Sequence, residues 1–341
     1  MFYRETVKGL YGIVKGITRG ITVSERQEKV NILPGFLSNE DIEEILNKDI
    51  VVWPYNKKNL TDIGYNLTPT EFIFSINNGL LVQVHNNNNE KYCWIEPHDT
   101  VLIITREAVW VSEKISGTFH SKVKIVSQGF GHISTTLDAF WEGPLLISLN
   151  NPTKKRLKFV IGRDEGNGFE YCSFVTLIFY RMVTPTTKGH DNPSCRLDIL
   201  KDIVSKPKAG IFYRNNEKYY ELERLINKIS NFETIKVDIG KANVEERSER
   251  IKQFQEKYST FANRIDFYIS QAHEINYQII KAKRVMWYIG NIVWAIPIVG
   301  LGILLYNAYK DTNSNLIAVL VAMISFALTQ YIKRFEKKEN R

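Results

Sequence analysis

The spacing of apolar residues differs between the two halves of the chain. Up to about residue 200, apolar residues form short runs separated by turn residues, a pattern that predicts β-strands. These runs include Phe72 to Ser75, Leu80 to Val84, Thr100 to Ile104 and Lys122 to Ser127. One helix is predicted before them, from Leu37 to Leu46, because Ser38 can cap it and acidic residues fill its first turn. We therefore expect an α+β chain with a β-rich N-terminal part.

A heptad pattern follows between Lys241 and Arg284, where the chain has no Gly or Pro. The recurring apolar positions are Val244, Ile251, Tyr258, Ile265, Ala272 and Ile279, with Phe254, Phe261, Tyr268 and Ile275 three positions after their partners. This pattern predicts an all-α coiled-coil stalk over residues 205–284. A continuous helix from Lys241 to Arg284 would be roughly 60 Å long at 1.5 Å per residue. A shorter helix is predicted from Tyr213 to Phe232, and the aromatic heptad positions favour a bundle of three or more helices.

Two uncharged runs come after the heptads, from Val285 to Tyr306 and from Leu316 to Ile332. The first has about the twenty residues that a bilayer core requires, and a short polar link joins it to the second. We therefore expect two transmembrane helices in a hairpin over residues 285–335, with a buried globular hairpin as the alternative. Basic residues flank both runs, and 336–341 form a basic tail, which places both chain ends in the cytoplasm. The prediction is a multi-pass membrane protein with the lipid bilayer as a partner.

Residues 1–32 form a separate N-terminal segment. Four glycines interrupt it and basic residues occur throughout, so it does not have the pattern of a secretory signal. Its apolar residues fall near helical spacing. Two interpretations stay open: an amphipathic helix lying on acidic lipid, and a segment packed against the protein itself.

Composition limits the possible folds and binding partners. A chain of 341 residues with 44% hydrophobic residues can form one ordinary core and an appended module. The net charge of +8 suits phosphates or an anionic membrane, or is simply a solvated lysine-rich surface. Nucleic-acid binding is not indicated, because no basic stripe is interleaved with aromatic residues. The three cysteines lack metal-ligand spacing, which predicts reduced and buried thiols.

Six segments in order resemble one enzyme superfamily. The strongest is Leu137-Asp138-Ala139-Phe140-Trp141-Glu142-Gly143, which resembles the "I-D-x-x-Y/W-x-G" turn of the dUTPase and dCTP deaminase superfamily. The others are Leu37 to Leu67, Ile95 to Leu102, Thr105 to Val109, Phe179 to Met182 and Ser194 to Leu197. The resemblance covers residues 33–200 and implies a dUTPase-like head, a distorted β-barrel or jelly roll. It also implies a homo-oligomer, a trimer, whose active sites lie between subunits, and Mg²⁺ bound with the nucleotide.

The same resemblance indicates the site residues. Asp138 matches the aspartate that positions water in dUTP hydrolysis, or it simply caps a tight turn. Ser148 stands where the deaminases have a glutamate base, and a serine is a poor substitute for it. The family's arginine-rich phosphate run falls on residues 121–127, where neither possible register supplies an arginine. The nucleotide-binding candidates are His120, Ser121, Lys122, Lys124, His132, Asp138 and Trp141, with Lys122 and Lys124 alternatively the exposed face of a strand. No metal-ligating residue is predicted.

Three functions are consistent with these residues. The first is a membrane-anchored member of the superfamily with a degenerate catalytic site, which binds a deoxynucleotide or related nucleotide and acts as a sensor or regulator. The second is an active membrane-bound dCTP deaminase or dUTPase. The third is an oligomeric membrane effector or scaffold, for instance in cell or phage defence.

Overall fold

The computed structural model describes residues 33–87, 89–166, 168–189, 194–205, 217–231 and 237–310. The strands are β1 (Gly35–Phe36), β2 (Ile50–Trp53), β3 (Leu60–Thr61), β4 (Gly64–Leu67), β5 (Pro69–Ser75), β6 (Leu80–Leu81), β7 (Val84–Asn87), β8 (Glu90–Ile95), β9 (Thr100–Val111), β10 (Ile115–Ser121), β11 (Ser134–Leu137), β12 (Glu142–Asn150), β13 (Leu157–Asp164), β14 (Phe169–Tyr171) and β15 (Val175–Arg181). The α-helices are α1 (Asn39–Ile45), α2 (Val123–Val126), α3 (Leu197–Ser205), α4 (Glu217–Asn231) and α5 (Val244–Lys310). Short 3₁₀ turns lie at Lys57–Asn59, Ser194–Arg196 and Ile239–Lys241.

The strands form three antiparallel sheets, which confirms the predicted β-rich body. The first sheet has the order β11-β10-β15-β4-β3, with β1 also paired to β15. The second has the order β12-β9-β5-β6, with β2 also paired to β9. The third has the order β14-β13-β8-β7. Residues from all three sheets share one hydrophobic core.

The inner strand β9 of the second sheet is buried on both faces. In β9, Val101 and Ile103 point into the shared core, while Leu102 and Ile104 point into a second core on the opposite face. Successive residues of a strand face opposite sides, so a strand covered on both sides needs a nearly continuous apolar sequence. This is why β9 lacks the alternation of a half-exposed strand.

The predicted stalk helix forms, and it provides much of the second core. Helix α5 has 67 residues. Its buried heptad positions pack against the second sheet of the same chain, together with residues of α3 and α4. These positions are Ile251, Phe254, Tyr258, Phe261, Ile265, Ala272 and Ile279. The seam that resembled a coiled coil is therefore largely covered by the chain's own sheet.

Helix α1 confirms the predicted N-terminal helix. The Ser38 hydroxyl accepts a hydrogen bond from the Asp41 N–H at 3.2 Å, and the Asp41 carboxylate accepts one from the Ser38 N–H at 2.9 Å. This reciprocal capping box satisfies two backbone donors at the start of the helix. Ile42 and Ile45 then anchor the helix in the shared core.

The strand predicted from Lys122 to Ser127 is wrong, because α2 occupies this segment. The Ser127 N–H donates to the Val123 carbonyl at 2.8 Å, which closes a helical turn. Ile125 is buried, whereas Val123 is 84% exposed. The alternation of Lys and apolar residues thus lies on one helical turn, and Val123 and Ile125 do not share an inward face.

The predicted transmembrane hairpin is also wrong. The run from Val285 to Tyr306 is the distal part of α5. Within the described ranges, no helix is long and apolar enough to cross a membrane. This finding contradicts the two transmembrane helices and the multi-pass localisation, and it gives no support to the lipid bilayer as a partner.

Several predicted segments lie outside the described residues. They are the amphipathic segment 1–32, the second apolar run from Leu316 to Ile332 and the basic tail 336–341. The three cysteines all lie in described segments. Cys93 and Cys195 are buried, Cys172 is half-buried, and all three are free thiols. Burial raises the pKa of the Cys93 thiol, which favours its neutral form.

Candidate functional site

β10 and β11 form the hairpin that carries most of the candidate residues. His120 pairs with Ser134 at one end of the hairpin, and Gly117 pairs with Leu137 at the other. Three residue-to-residue steps separate the two pairs, which is roughly 10 Å at about 3.3 Å per residue. The hairpin therefore holds the candidate residues in two groups, one at each end.

The first group, the His120–His132 cluster, consists of His120, Ser121, Lys122, His132 and Ser173. The two imidazole rings meet edge to face with their centroids 6.4 Å apart. The Ser121 hydroxyl accepts a hydrogen bond from the backbone N–H that follows His132, which fixes the connection between α2 and β11. The structure thus brings together four of the residues predicted to bind nucleotide, and adds Ser173.

Lys122 is the cation at the centre of this cluster. Its Nζ donates to the Ser173 hydroxyl at 2.7 Å. Burial lowers the pKa of Lys122, and the neighbouring charge of Lys124 lowers it further. Within the described ranges, no carboxylate lies within 4 Å of its ammonium group. The cluster therefore presents a half-buried positive charge that only a neutral hydroxyl contacts, an arrangement suited to an anion.

The other candidate cation, Lys124, lies on α2 with its side chain exposed. Its carbonyl accepts a hydrogen bond from the Ser127 hydroxyl at 3.1 Å. Lys124 therefore adds to the positive charge around Lys122 without being part of the buried cluster.

The second group is the turn of Asp138 and Trp141. The Trp141 N–H donates to the Asp138 carbonyl at 3.3 Å, and the Trp141 Nε1 donates to the Gly143 carbonyl at 2.9 Å. Phe140, between them, has a positive φ of 60°. Trp141 is half-buried and packs against the shared core, so its ring is committed to the turn. These contacts show a tightly built turn at the edge of the first sheet.

Ser148 belongs to neither group. It is an exposed residue of β12 in the second sheet, where it pairs with Leu102 of β9. Six residues separate it from the start of β12 at Glu142, roughly 20 Å along a strand. Within one chain, Ser148 and Asp138 are therefore far apart, and their predicted catalytic roles stay predictions.

Glu142, which sequence reasoning missed, connects the turn to α5. Its carboxylate accepts hydrogen bonds from the Val237 N–H at 2.8 Å and the Asp238 N–H at 3.3 Å. Lys257 of α5 lies 3.2 Å from the same carboxylate, which is 2% exposed. On the other side of the turn, a Cβ at Gly240 would lie only 3.3 Å from the Phe140 ring. The sequence did contain a signal for this residue, because Glu142 lies inside the motif, between Trp141 and Gly143.

Glu107 is a second carboxyl group that sequence reasoning missed. It is 3% exposed and accepts hydrogen bonds from the Thr68 N–H at 2.8 Å and the Thr68 hydroxyl at 2.7 Å. Burial raises its pKa to about 7, although both hydrogen bonds lower it. These hydrogen bonds hold the connection between β4 and β5 against β9. The carboxyl group is too deeply buried to contact a ligand.

The cluster does not match the ligand set that Mg²⁺ prefers. Mg²⁺ takes carboxylate, carbonyl and water oxygens in octahedral geometry, whereas the cluster offers two imidazoles, one ammonium and two hydroxyls. Within the described part of the chain, no group of three or more His, Cys, Asp or Glu residues could hold a metal ion. The side chains of the cluster therefore do not form a Mg²⁺ site.

Comparisons with known proteins give fold matches only. No protein-family model and no curated protein matches the chain. Among solved structures, it is similar to a dCTP deaminase from Agrobacterium tumefaciens, with 11% identity and a TM-score of 0.34, covering 43% of this chain and 49% of the deaminase. It is also similar to a mutant dUTPase from phage phi11 of S. aureus, with 18% identity and a TM-score of 0.27, covering 42% of this chain and 96% of that one.

The EIAV dUTPase is a third match, with 17% identity and a TM-score of 0.23, covering 35% of this chain and 96% of that one. The matched part thus spans about half the length of the deaminase and nearly all of each dUTPase. These structures come from the superfamily that the sequence motifs resemble. Their identities and TM-scores are too low to assign an activity or a ligand to this chain.

Proposed function

We propose that the chain is a nucleotide-binding protein whose His120–His132 cluster holds the phosphates. The observation that carries this proposal is Lys122, a half-buried ammonium whose one hydrogen-bond partner among the described residues is the Ser173 hydroxyl. Burying a cation in this way is unfavourable unless an anion compensates it. A nucleotide phosphate would accept hydrogen bonds from Lys122 and from the two imidazoles.

The Asp138 turn of a second copy of the chain would contact the base and sugar. Within one chain the cluster and the turn lie roughly 10 Å apart at opposite ends of a hairpin, and we infer that each is completed by the other group of a neighbouring copy. Val123 supports a contact between copies, because this apolar residue next to Lys122 is 84% exposed. A cyclic trimer, the assembly implied by the sequence resemblance, would place three such sites between neighbouring subunits.

The bound nucleotide would not be turned over efficiently. A deaminase needs a base near the pyrimidine ring, and Ser148 is a neutral hydroxyl in another sheet. The phosphate-holding arginines of the superfamily have no counterpart in residues 121–127. We infer a sensor or regulator that uses binding alone.

Glu142 gives such a sensor a connection to its longest helix. A nucleotide bound at the Asp138 turn would contact the segment that ends at Glu142. The Glu142 carboxylate accepts a hydrogen bond from the Val237 N–H and forms an ion pair with Lys257 of α5. Ligand binding could then favour one arrangement of α5, provided that the ligand binds the two arrangements with different affinity.

Substitution of Lys122 tests the phosphate site. We expect Lys122→Met to weaken binding of the dUTP analogue dUpNHpp by roughly 10- to 100-fold, since a hydrogen bond to a charged group contributes about 1.5–3 kcal/mol. The matched control is Lys228→Met, which removes an exposed lysine of α4 and should leave binding unchanged. Calorimetry on the full chain gives both affinities. Equal affinities for the two variants would contradict the proposed role of Lys122.

A further inference from the structure

The outer face of the third sheet carries three aromatic rings side by side. Tyr92 and Trp94 alternate with the buried residues Cys93 and Ile95 along β8, so their side chains point away from the shared core. His85 of β7 pairs with Tyr92, and their rings stack with centroids 5.3 Å apart. The rings of Tyr92 and Trp94 meet edge to face at 6.2 Å. All three rings are only partly buried, so a ligand in solution can reach this face.

Basic side chains from β13 and from the loop before it lie over these rings. Lys158 pairs with Trp94, and its ammonium lies 4.1 Å from the centre of the Tyr92 ring. The Glu90 carboxylate holds this ammonium in an ion pair. The guanidinium of Arg156 lies 4.8 Å from the centre of the Trp94 ring. Among the described residues, no carboxylate lies within 4 Å of that guanidinium, so it remains available to an anionic ligand.

The loop that carries Arg156, the basic loop of residues 154–156, is held firmly against β8. Asn151, which is fully buried, fixes it. The Asn151 Nδ2 donates to the Ile95 carbonyl at 3.0 Å and to the Lys155 carbonyl at 2.9 Å. Its Oδ1 accepts from the Thr153 N–H at 3.0 Å. A ligand therefore meets the basic loop already in place, without the entropic cost of ordering a flexible segment.

The exposed charges beside Trp94 are mainly positive. Lys154, Lys155 and Arg156 of the basic loop are exposed, and Glu96 on the adjoining turn is an exposed carboxylate. These four charges sum to two positive units, which attract a polyanion. The sequence did not indicate such a surface, because Trp94 and the basic loop are far apart along the chain. The fold interleaves the aromatic and basic residues that the sequence keeps separate.

We propose that this face of the third sheet binds single-stranded nucleic acid. Unpaired bases stack on the rings of His85 and Trp94 and on the Arg156 guanidinium, while the two lysines of the basic loop contact phosphates. Every base has a flat aromatic face, so this binding does not select a sequence. A duplex keeps its bases inside and offers the rings nothing to stack on. An acidic peptide would meet the cations but leave the rings unused.

Fluorescence anisotropy with a labelled DNA strand of about ten nucleotides tests this proposal on the full chain. We expect saturable binding at about 50 mM salt that weakens roughly 10- to 20-fold at about 200 mM salt, because three cations of the basic loop each contribute a salt slope of about −0.7. A duplex of the same length should bind more weakly at the higher salt concentration, where stacking contributes most. Polyglutamate should not displace the strand.

Three results would overturn the proposal. Absence of saturable binding would show that the face does not bind nucleic acid. Duplex binding as tight as single-strand binding, or displacement by polyglutamate, would show a surface that attracts any polyanion. Displacement of the strand by excess dUpNHpp would place it on the His120–His132 cluster instead of the third sheet.

Variants of the two stacking groups locate the site. Trp94→Ala removes one stacking surface and should weaken strand binding at least about fivefold. Arg156→Gln should weaken it to a similar extent, and its exposed position keeps the test valid if Trp94→Ala does not fold. Arg224→Gln is the matched control, because it removes the same charge from an exposed position of α4 and should leave binding unchanged. Equal affinities of Arg156→Gln and Arg224→Gln for the strand would contradict the assignment.

Discussion

At the scale of single residues, the buried carboxyl groups of Glu107 and Glu142 connect elements of the fold. Glu107 and Glu142 both lie in apolar surroundings, and backbone N–H groups bond each of them. Their roles differ, since Glu107 joins strands within the body and Glu142 joins the body to α5. Neither role follows from the sequence, because burial and backbone partners depend on strands that are distant along the chain.

Glu107 should make the stability of the protein depend on pH. Its pKa of about 7 in the folded state exceeds the ordinary value of 4.5, so the folded state binds the proton more tightly. The stabilisation is complete below about pH 4.5 and is lost as pH rises to about 7, with a maximum near 3 kcal/mol at 1.36 kcal/mol per pKa unit. Glu107→Gln cannot titrate and keeps an oxygen for the Thr68 N–H.

Urea unfolding at pH 5 and pH 8 measures this effect. We expect the wild-type chain to lose more stability between these two pH values than Glu107→Gln does. Because other groups titrate equally in both proteins, the difference between them isolates residue 107. The same pH dependence in both proteins would show that the folded-state pKa of Glu107 is not raised.

At the scale of elements, the sequence predicts structure well where the signal is local. The capping box of Ser38 and Asp41 lies within four residues, and α1 forms as predicted. The segment containing α2 was misread because a Lys-apolar alternation over six residues fits both a strand and one helical turn. The register of Ser121 and Lys122 in the candidate site depends on that turn, and only the structure shows it.

Glu142 should hold the N-terminal end of α5 against the body. Glu142→Gln removes the negative charge beside Lys257, a residue whose side chain is 18% exposed, and weakens the bonds to Val237 and Asp238. We expect a loss of about 2–3 kcal/mol in unfolding free energy, below the full cost of breaking a deeply buried pair. Amide hydrogen exchange should also become faster between residues 237 and 257.

The exposed ion pair of Glu43 and Lys57, whose atoms are 2.7 Å apart, provides the control. Glu43→Gln should cost clearly less than Glu142→Gln, because solvent screens exposed pairs. If Glu142→Gln lowered the unfolding free energy no more than Glu43→Gln does, and left hydrogen exchange in α5 unchanged, the contacts of Glu142 would not stabilise the attachment of α5.

At the scale of the whole molecule, the β-rich body and the long helix were both predictable, whereas their relation was not. A heptad pattern shows that one face of α5 is buried, but not what buries it. The near-continuous apolar sequence of β9 is the complementary signal, since it shows a strand covered on both faces. Neither pattern names the partner of the other, so only the structure shows that the helix covers the sheet. The transmembrane prediction rested on the uncharged runs after the heptads and on their basic flanks, and the described part of the structure contradicts it.

The two halves of the candidate nucleotide site also belong to this scale. The His120–His132 cluster and the Asp138 turn lie at opposite ends of one hairpin, and in the proposed arrangement each is completed by the other group of a second copy of the chain. A variant defective in the cluster and a variant defective in the turn should therefore complement each other when they assemble together.

The most direct test is binding of dUpNHpp, with Mg²⁺ in solution, to four full-length samples: wild type, Lys122→Met, Asp138→Asn and a co-expressed mixture of the two variants. We predict saturable binding by the wild type, at least tenfold weaker binding by each variant alone, and recovery of about a quarter of the wild-type sites in the mixture, the fraction in which an intact cluster meets an intact turn. No binding by the wild type would contradict the nucleotide site, and no recovery in the mixture would contradict its formation between subunits.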